Sequence, residues 1–238
     1  MSLRWKVQKA GLPFVFSNFA MTADGKIAFA SREFIPFGGR RDREHMLELR
    51  AQADAVMAGA RTVNSPGITL GPGGEKYRRL RRQRGLREYP LRIIVSGACS
   101  VEPCAEVFRH SFSPVIILTT RRAPEKNLRR LRGIAEVFVC GGREIHFTRA
   151  LRWLREKWNV ERMLCEGGGE LHGALVRAGL VDELHVTICP KIFGGRQAPT
   201  VADGIGAARL AGASAFKLKS LRRIGDELFV VFGRPIFH

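Results

Sequence analysis

The chain has 238 residues, 45% of them hydrophobic, enough for one large core or two small ones. Forty Lys and Arg against 22 Asp and Glu leave a formal charge of +18, a field that draws polyanions and phosphorylated small molecules alike. No run of about 18 apolar residues is present, which excludes a membrane-spanning helix, and neither zinc-finger spacing nor an aromatic RNA-recognition signature accompanies the charge.

In chain order, FVFSNFAM (14–21) reads as a buried strand, and TADGK (22–26) as a tight turn whose Asp-Gly supplies the positive φ. Asp42 is placed to cap a helix over about 43–52, with Met46, Leu49 and Ala53 on one face. DAVMAG (54–59) is a short buried strand ending at a glycine. Residues 63–90, rich in Gly, Pro and Arg, read as loop. LRIIVSG (91–97), PVIILTT (114–120) and AEVFVCGG (135–142) are three more apolar strands. Thr148 opens a helix over 149–158 that puts Leu151, Leu154 and Trp158 on one face. VERMLCE (160–166) is a strand, three glycines follow, and a helix over about 170–178 ends at Gly179. DELHVTICP (182–190) is a strand, and FKLKSLRRIGDELFVVFGR reads as a terminal β-hairpin about a Gly-Asp turn. Strands alternating with helices, closed by a hairpin, predict an α/β sheet, largely parallel, with an antiparallel edge. Apolar runs recur without a linker, so one domain over 1–238 with a core at about 13–234 is expected.

The five cysteines, Cys99, Cys104, Cys140, Cys165 and Cys189, are odd in number, irregularly spaced and without CxxC. A reduced, cytoplasmic protein is expected, and MSLRWKVQKAG carries no signal-peptide core. The six histidines form no ligand cluster, so no metal is expected.

LCEGGGELHGAL (164–175) places a strand, a glycine turn and a helix N-terminus in succession, which is an anion-binding device. The spacing is neither the Rossmann G-x-G-x-x-G nor a P-loop, and a tight connection without a ligand also accounts for it. Gly173 allows close packing on the sheet or on a ligand. Glu166 stands at a strand's carboxyl end, where ligands of open α/β sheets bind; it is either an exposed strand end or a reader of an aminopyrimidine ring. Gly59 and Thr62 suit the face of a planar ring and its carboxamide, or form an ordinary strand-loop junction. Asp24 is a turn residue or a site carboxylate. Arg50 is a solvated helical side chain or a phosphate clamp. TTRR (119–122), with Thr120 and Arg121, suits the 2′-phosphate of NADPH or lies free on the surface.

Five stretches carry a resemblance: SNFAMTADGKIA (17–28), LRAQADAVMAGARTV (49–63), PLRIIVSG (90–97), LCEGGGELHGALVRAGLVDELHV (164–186) and PKIFGGRQAPTVADG (190–204). In this order they resemble the pyrimidine reductases of riboflavin biosynthesis, the C-terminal half of a bifunctional deaminase–reductase in bacteria and stand-alone proteins in archaea and fungi. The stand-alone archaeal type is the more similar. The resemblance implies a dihydrofolate-reductase-like fold, NADPH as cofactor, a phosphorylated small-molecule substrate and a homodimer; the short apolar runs and missing motifs noted above leave no membrane partner expected and nucleic acid a less favoured one. It implies reduction of the ribosyl group of a 5-phosphoribosylamino-pyrimidine to ribityl. Gly167, Gly168 and Gly169 with Glu170 and Leu171 would hold the pyrophosphate, Gly59 and Thr62 the nicotinamide, and Ser96 and Gly97 the adenosine end. Glu166, Arg50 and Asn18 would face the substrate, with Asp24 as a second catalytic candidate and Lys191 nearby.

Two regions depart from that family. VNSPGITLGPGG follows Thr62 where paired aspartates and a basic or imidazole residue are usual, leaving Asn64 or Ser65 as stand-ins. SREFIPFGG (31–39) is apolar where the family tends to be polar; its FIPFGG part or the terminal hairpin could form a dimer interface. Two alternatives therefore stand beside the expected activity. One is a reductase of the same fold acting on dihydrofolate or a dihydropterin. The other is a non-catalytic nucleotide- or nucleic-acid-binding protein using the basic segment 76–87.

Overall fold

The computed structural model describes residues 11–32 and 35–235, so the N-terminal stretch and Phe34 of FIPFGG lie outside the described residues. One nine-stranded sheet organises the chain, in the order β5-β4-β3-β2-β6-β1-β7-β9-β8. The first seven strands are β1 (Phe14–Thr22), β2 (Ala55–Gly59), β3 (Leu91–Val95), β4 (Val115–Thr120), β5 (Glu136–Gly141), β6 (Arg162–Cys165) and β7 (Glu183–Cys189). These run parallel. In the closing hairpin, β8 (Lys217–Ile224) and β9 (Glu227–Gly233), β9 lies between β7 and β8 and is antiparallel to both, as the alternation of FKLKSLRRIGDELFVVFGR predicts for the hairpin.

The strands are legible because the sheet is covered on both faces, so successive residues are apolar. Met57, Ile93, Ile116 and Met163 face one core, with Leu151, Leu154 and Leu175. Val56, Ile94, Ile117 and Leu164 face the other, with Leu49, Leu128 and Leu131. The helices on these faces are α1 (Arg40–Arg50), α2 (Ala60–Val63), α3 (Glu75–Gln83), α4 (Glu125–Arg132), α5 (Phe147–Trp158) and α6 (Gly169–Arg177).

Three local expectations change. Asp42 lies inside the first turn of α1, not at its cap, which is Gly39. The Gly39 N–H instead donates to Glu227 on β9 at 2.6 Å, so a tertiary carboxylate starts the helix. The cap of α5 is His146, whose Nδ1 accepts from the Arg149 N–H at 3.3 Å, and Thr148 falls one residue inside. Residues 63–90 are not all loop, because α3 runs through them.

Helix α3 turns a basic side chain inward. Arg81 is fully buried, and its Nη1 donates to the carbonyls of Arg50 and Ala53, both at 2.6 Å. Arg84 donates to Ala51 at 3.0 Å. Both cations sit on the carbonyl end of α1, where the helix dipole favours positive charge. Burial lowers the Arg81 guanidinium to about 10, and the Asp54 carboxylate opposes the shift. Arg78 and Arg82 pair with Glu75 and Glu88. Much of the basic segment 76–87 is thus engaged within the protein.

Candidate active site

Strand order reverses around β6, which is inserted between β2 and β1, and ligands of open α/β sheets bind at such a point beyond the carboxyl ends of the strands. A cleft of about 1020 Å³ opens there, beside the ends of β2, β3 and β6. Gly59, Thr62, Ser96, Gly97, Gly168, Gly169, Glu170 and Leu171 all line it. Gly168 has φ +81°, a left-handed backbone that favours glycine, and the position of its absent Cβ comes no nearer than 3.9 Å to another side chain. The first amides of α6 open beside this bare backbone, so the donors and the room suit a phosphate-bearing ligand.

The other glycines answer to the protein itself. A Cβ on Gly169 would collide with the Thr200 carbonyl, and one on Gly173 with the Asp203 carbonyl. The Asp203 N–H donates to the Gly169 carbonyl at 2.9 Å. Asp203 also accepts from the Thr200 N–H and hydroxyl, at 2.9 and 2.8 Å. Close packing at Gly173 is therefore against this 200–204 segment rather than against the sheet or a ligand. On Gly167 a Cβ would lie 3.1 Å from the Thr62 hydroxyl, so this glycine sets the approach of α2 to the loop.

Thr120 and Arg121 do not line the cleft. The Thr120 hydroxyl donates to the Gly97 carbonyl at 2.8 Å and Thr119 does the same at 3.1 Å, so the pair supports the turn that carries Gly97. Arg121 is exposed at the sheet's edge beside β5.

The expected substrate-side residues are placed differently from one another. Arg50 Nε and Nη2 donate to the two Glu166 oxygens at 2.7 and 2.6 Å, and Arg50 Nη1 donates to the Gly71 carbonyl at 2.6 Å. The side chains are 11% and 7% exposed. Three of the five guanidinium donors are engaged in this way, so Arg50 orients Glu166 and ties it to the 69–74 loop. Asn18, on β1 next to β6, is buried, and its Oδ1 has no hydrogen-bond partner among the described residues. Asp24, the second catalytic candidate, is engaged by its own turn and by the 193–194 backbone. Its carboxylate accepts from Thr22 Oγ1 at 2.5 Å, Gly194 N at 2.7 Å and Phe193 N at 3.2 Å. These donors, the Thr22 hydroxyl foremost, hold its pKa below the usual value, as suits a carboxylate that anchors a turn. Lys191 Nζ donates to the Phe37 carbonyl at 3.0 Å and helps hold the apolar 35–39 segment. That segment is apolar because Phe37 and Phe29 pack on Phe193, with centroids at 4.9 and 4.2 Å. Asn64 lines the cleft, but its amide bridges the Ser100 carbonyl and the Glu102 N–H, so it does not replace a missing carboxylate.

Sequence reasoning missed the wall opposite the glycine loop, Glu144 to Thr148, and the cations Arg61 and Arg177. Because His146 Nδ1 accepts from the backbone, Nε2 carries the proton of the neutral ring. No local pattern marks this wall; the crossover from β5 to α5 brings it there. A second rim feature joins three elements: Arg32 lies 3.7 Å and Arg61 4.0 Å from the same Glu170 oxygen.

The open, largely parallel sheet with a glycine-lined cleft at its reversal point places this chain among the α/β proteins that bind their ligands beyond the carboxyl ends of the strands. The chain belongs to the RibD C-terminal domain family, which it matches over residues 13–230. It is 32% identical to the 2,5-diamino-6-ribosylamino-4(3H)-pyrimidinone 5′-phosphate reductase of Archaeoglobus fulgidus, over 92% of this chain and 96% of that protein. It is 34% identical to the reductase of the same name from Methanothermobacter thermautotrophicus, over 92% and 97%. A pyrimidine reductase-like protein from Corynebacterium diphtheriae shares the fold, with TM-score 0.79, 20% identity, and coverage of 93% of this chain and 91% of that one.

Proposed function

We propose that this chain is the NADPH-dependent reductase of riboflavin biosynthesis that converts the ribosyl group of 2,5-diamino-6-ribosylamino-4(3H)-pyrimidinone 5′-phosphate to ribityl. The observation that carries the reading is the convergence of eight expected cofactor residues, from Gly59 to Leu171, on one cleft. The names of the archaeal relatives support the undeaminated substrate. In this reading the chain is one reductase domain with a core at about 13–234, and it works as a cytoplasmic homodimer. Among the described residues no helix is long and apolar enough to cross a membrane.

NADPH, when bound, supplies the hydride. The chain's own residues supply the rest. The Gly168–Leu171 amides hold the phosphates, Gly59 and Thr62 border the nicotinamide, and Ser96 and Gly97 border the adenosine. Glu166, fixed by Arg50, and the buried Asn18 amide oxygen orient the aminopyrimidine. Rate comes mainly from that orientation.

The test is oxidation of NADPH, followed at its absorbance band, with the undeaminated and deaminated phosphoribosylamino-pyrimidines in parallel. The expected result is turnover with preference for the undeaminated form. Turnover of dihydrofolate or a dihydropterin, with neither phosphoribosyl compound consumed, would overturn the assignment.

A further inference from the structure

We propose that Arg81 is a positioning residue for the reaction: from α3 it fixes the end of α1 and so keeps the Arg50 fork aligned on Glu166. This rests on the reductase reading and gives the basic segment 76–87 a part in it.

Helix α1 ends without the left-handed glycine that closes many helices; its C-cap, Ala51, is right-handed helical at φ −70° and ψ −2°. The carbonyls of residues 50 to 53 are met by guanidinium groups, one after another. Arg81 Nη1 donates to the Arg50 and Ala53 carbonyls, both at 2.6 Å. Arg84 Nη1 donates to Ala51 at 3.0 Å, and Arg162 Nε to Gln52 at 3.2 Å. Arg81 makes the shortest of these contacts. It is fully buried, and its Nε donates to the Arg87 carbonyl at 2.8 Å, so the planar group is held at two points. The residue it grips by the backbone is the one whose side chain meets Glu166, through Nε and Nη2 at 2.7 and 2.6 Å. Arg162 lies on β6, the strand that leads to Glu166, and its carbonyl accepts from the Asp54 N–H at 2.9 Å. The end of α1 and the strand before Glu166 are therefore held in register, and Arg81 fixes the helix side of it. A shift of about 1 Å at the helix end would carry Arg50 off the carboxylate, and misplacements of that size cost up to about a hundred-fold in rate.

The experiment measures kcat and KM, with NADPH and the undeaminated phosphoribosylamino-pyrimidine, for the wild type, Arg81→Met, Arg81→Lys, Arg50→Met and the double variant Arg81→Met/Arg50→Met. Urea midpoints are taken alongside. Arg81→Met should lower kcat about ten- to a hundred-fold and leave KM for NADPH steady. Arg81→Lys, whose ammonium replaces part of the fork, should recover some of that loss. In the Arg50→Met background the same change should cost less than about two-fold more, because the fork it positions is gone. Leu128→Ala, on α4, is the control: it should lower the urea midpoint and leave kcat unchanged. Unchanged kcat in Arg81→Met, additive losses in the double variant, or an equal kcat loss in Leu128→Ala would overturn the proposal. If Arg81→Met does not fold, Arg81→Lys takes its place in the cycle. A second arm needs no turnover. The Arg50 Nε–H, identified by nitrogen-15 NMR as the resonance missing from Arg50→Met, should exchange with solvent at least about ten-fold faster in the Arg81 variant than in the wild type. If neither pyrimidine is turned over, the reductase reading fails, yet that faster exchange still upholds the positioning role. Unchanged exchange overturns it.

Discussion

Arg50 and Glu166 form a bidentate pair with both side chains almost wholly out of water. Desolvating two charges is costly, and the pair holds because each ion answers the other and the Gly71 carbonyl takes a further donor. Removing one partner strands the other. Arg50→Met should therefore lower the unfolding free energy by about 3 kcal/mol, and adding Glu166→Leu should recover most of that loss; urea titration of the three proteins measures both. A single variant as stable as the wild type would mean water reaches the pair. His172 gives a second residue-scale prediction. Its Nδ1 meets the Val201 carbonyl at 2.8 Å, and burial, opposed by that hydrogen bond, lowers its pKa to about 4. The unfolded chain takes up a proton there between pH 6.5 and 4 and the folded chain does not. Stability should fall as pH drops through that window and stop falling on this account below about pH 4. The slope from one such ring is at most about 1.4 kcal/mol per pH unit. His45, also lowered to about 4 by burial first and then by the neighbouring His185, Arg222 and Arg41, acts in the same window. Glu183, held near 2 by His185 and Lys219 against its desolvation, acts lower: its contribution is present above about pH 4.5 and lost towards pH 2. Replacing His172 with Asn, which keeps a donor near the Nδ1 position, should flatten the decline between pH 6.5 and 4. An unchanged urea-midpoint profile would exclude this ring as a cause.

The helices differ in how far they can be read from the chain. Helix α5 announces itself by Leu151 and Leu154 on one face, whereas α4 buries only Leu128 and Leu131, too short a stripe to register. In α3 the buried positions are Tyr77 and Arg81, so an amphipathic pattern exists but its inner face includes a cation that only the end of α1 explains. The glycine loop was legible as a device, but its division of labour was not. Local sequence says that something approaches Gly169 and Gly173; only the return of the chain 30 residues later identifies Thr200 and Asp203. Likewise Glu166 and Arg50 stand out singly, while their pairing across 116 residues is tertiary. The packing on α6 is testable. Gly173→Ala drives a Cβ into the Asp203 carbonyl and should cost about 1–3 kcal/mol, with faster proteolysis within 196–206 as that segment lifts. Gly133→Ala is the control, since its backbone is right-handed helical and nothing lies within 4 Å of the new Cβ. It should be neutral or stabilising by up to about 1 kcal/mol. Equal stability of the two variants would show that α6 and the segment can separate without loss.

At the scale of the whole molecule, the closing hairpin leaves an apolar face exposed. In register, Leu218 pairs with Phe232, Leu221 with Val230 and Arg223 with Leu228, so these residues share one side of the sheet. Leu218, Leu221 and Leu228 are 59%, 56% and 37% exposed there. An apolar patch on an edge hairpin is the surface a second copy would cover, and it is where the proposed homodimer is placed. Charge opposes that association, because each copy carries +18 and the repulsion between two copies is long-ranged at low salt. Like-charge repulsion weakens as salt is added, whereas apolar contact does not. Added salt screens the repulsion and leaves the apolar term, so dimerisation should tighten from about 0.01 M to 0.15 M ionic strength, where the Debye length shrinks from about 30 to 8 Å. A dimer held by ion pairs would loosen over the same range. Sedimentation equilibrium at the two salt concentrations reads the sign. Leu221→Lys puts a further cation in the middle of the patch and should give monomers at both, with the far-ultraviolet circular dichroism of the parent. A monomeric wild type at both concentrations would remove the hairpin as an interface, and a variant that still dimerises would move the interface to another face.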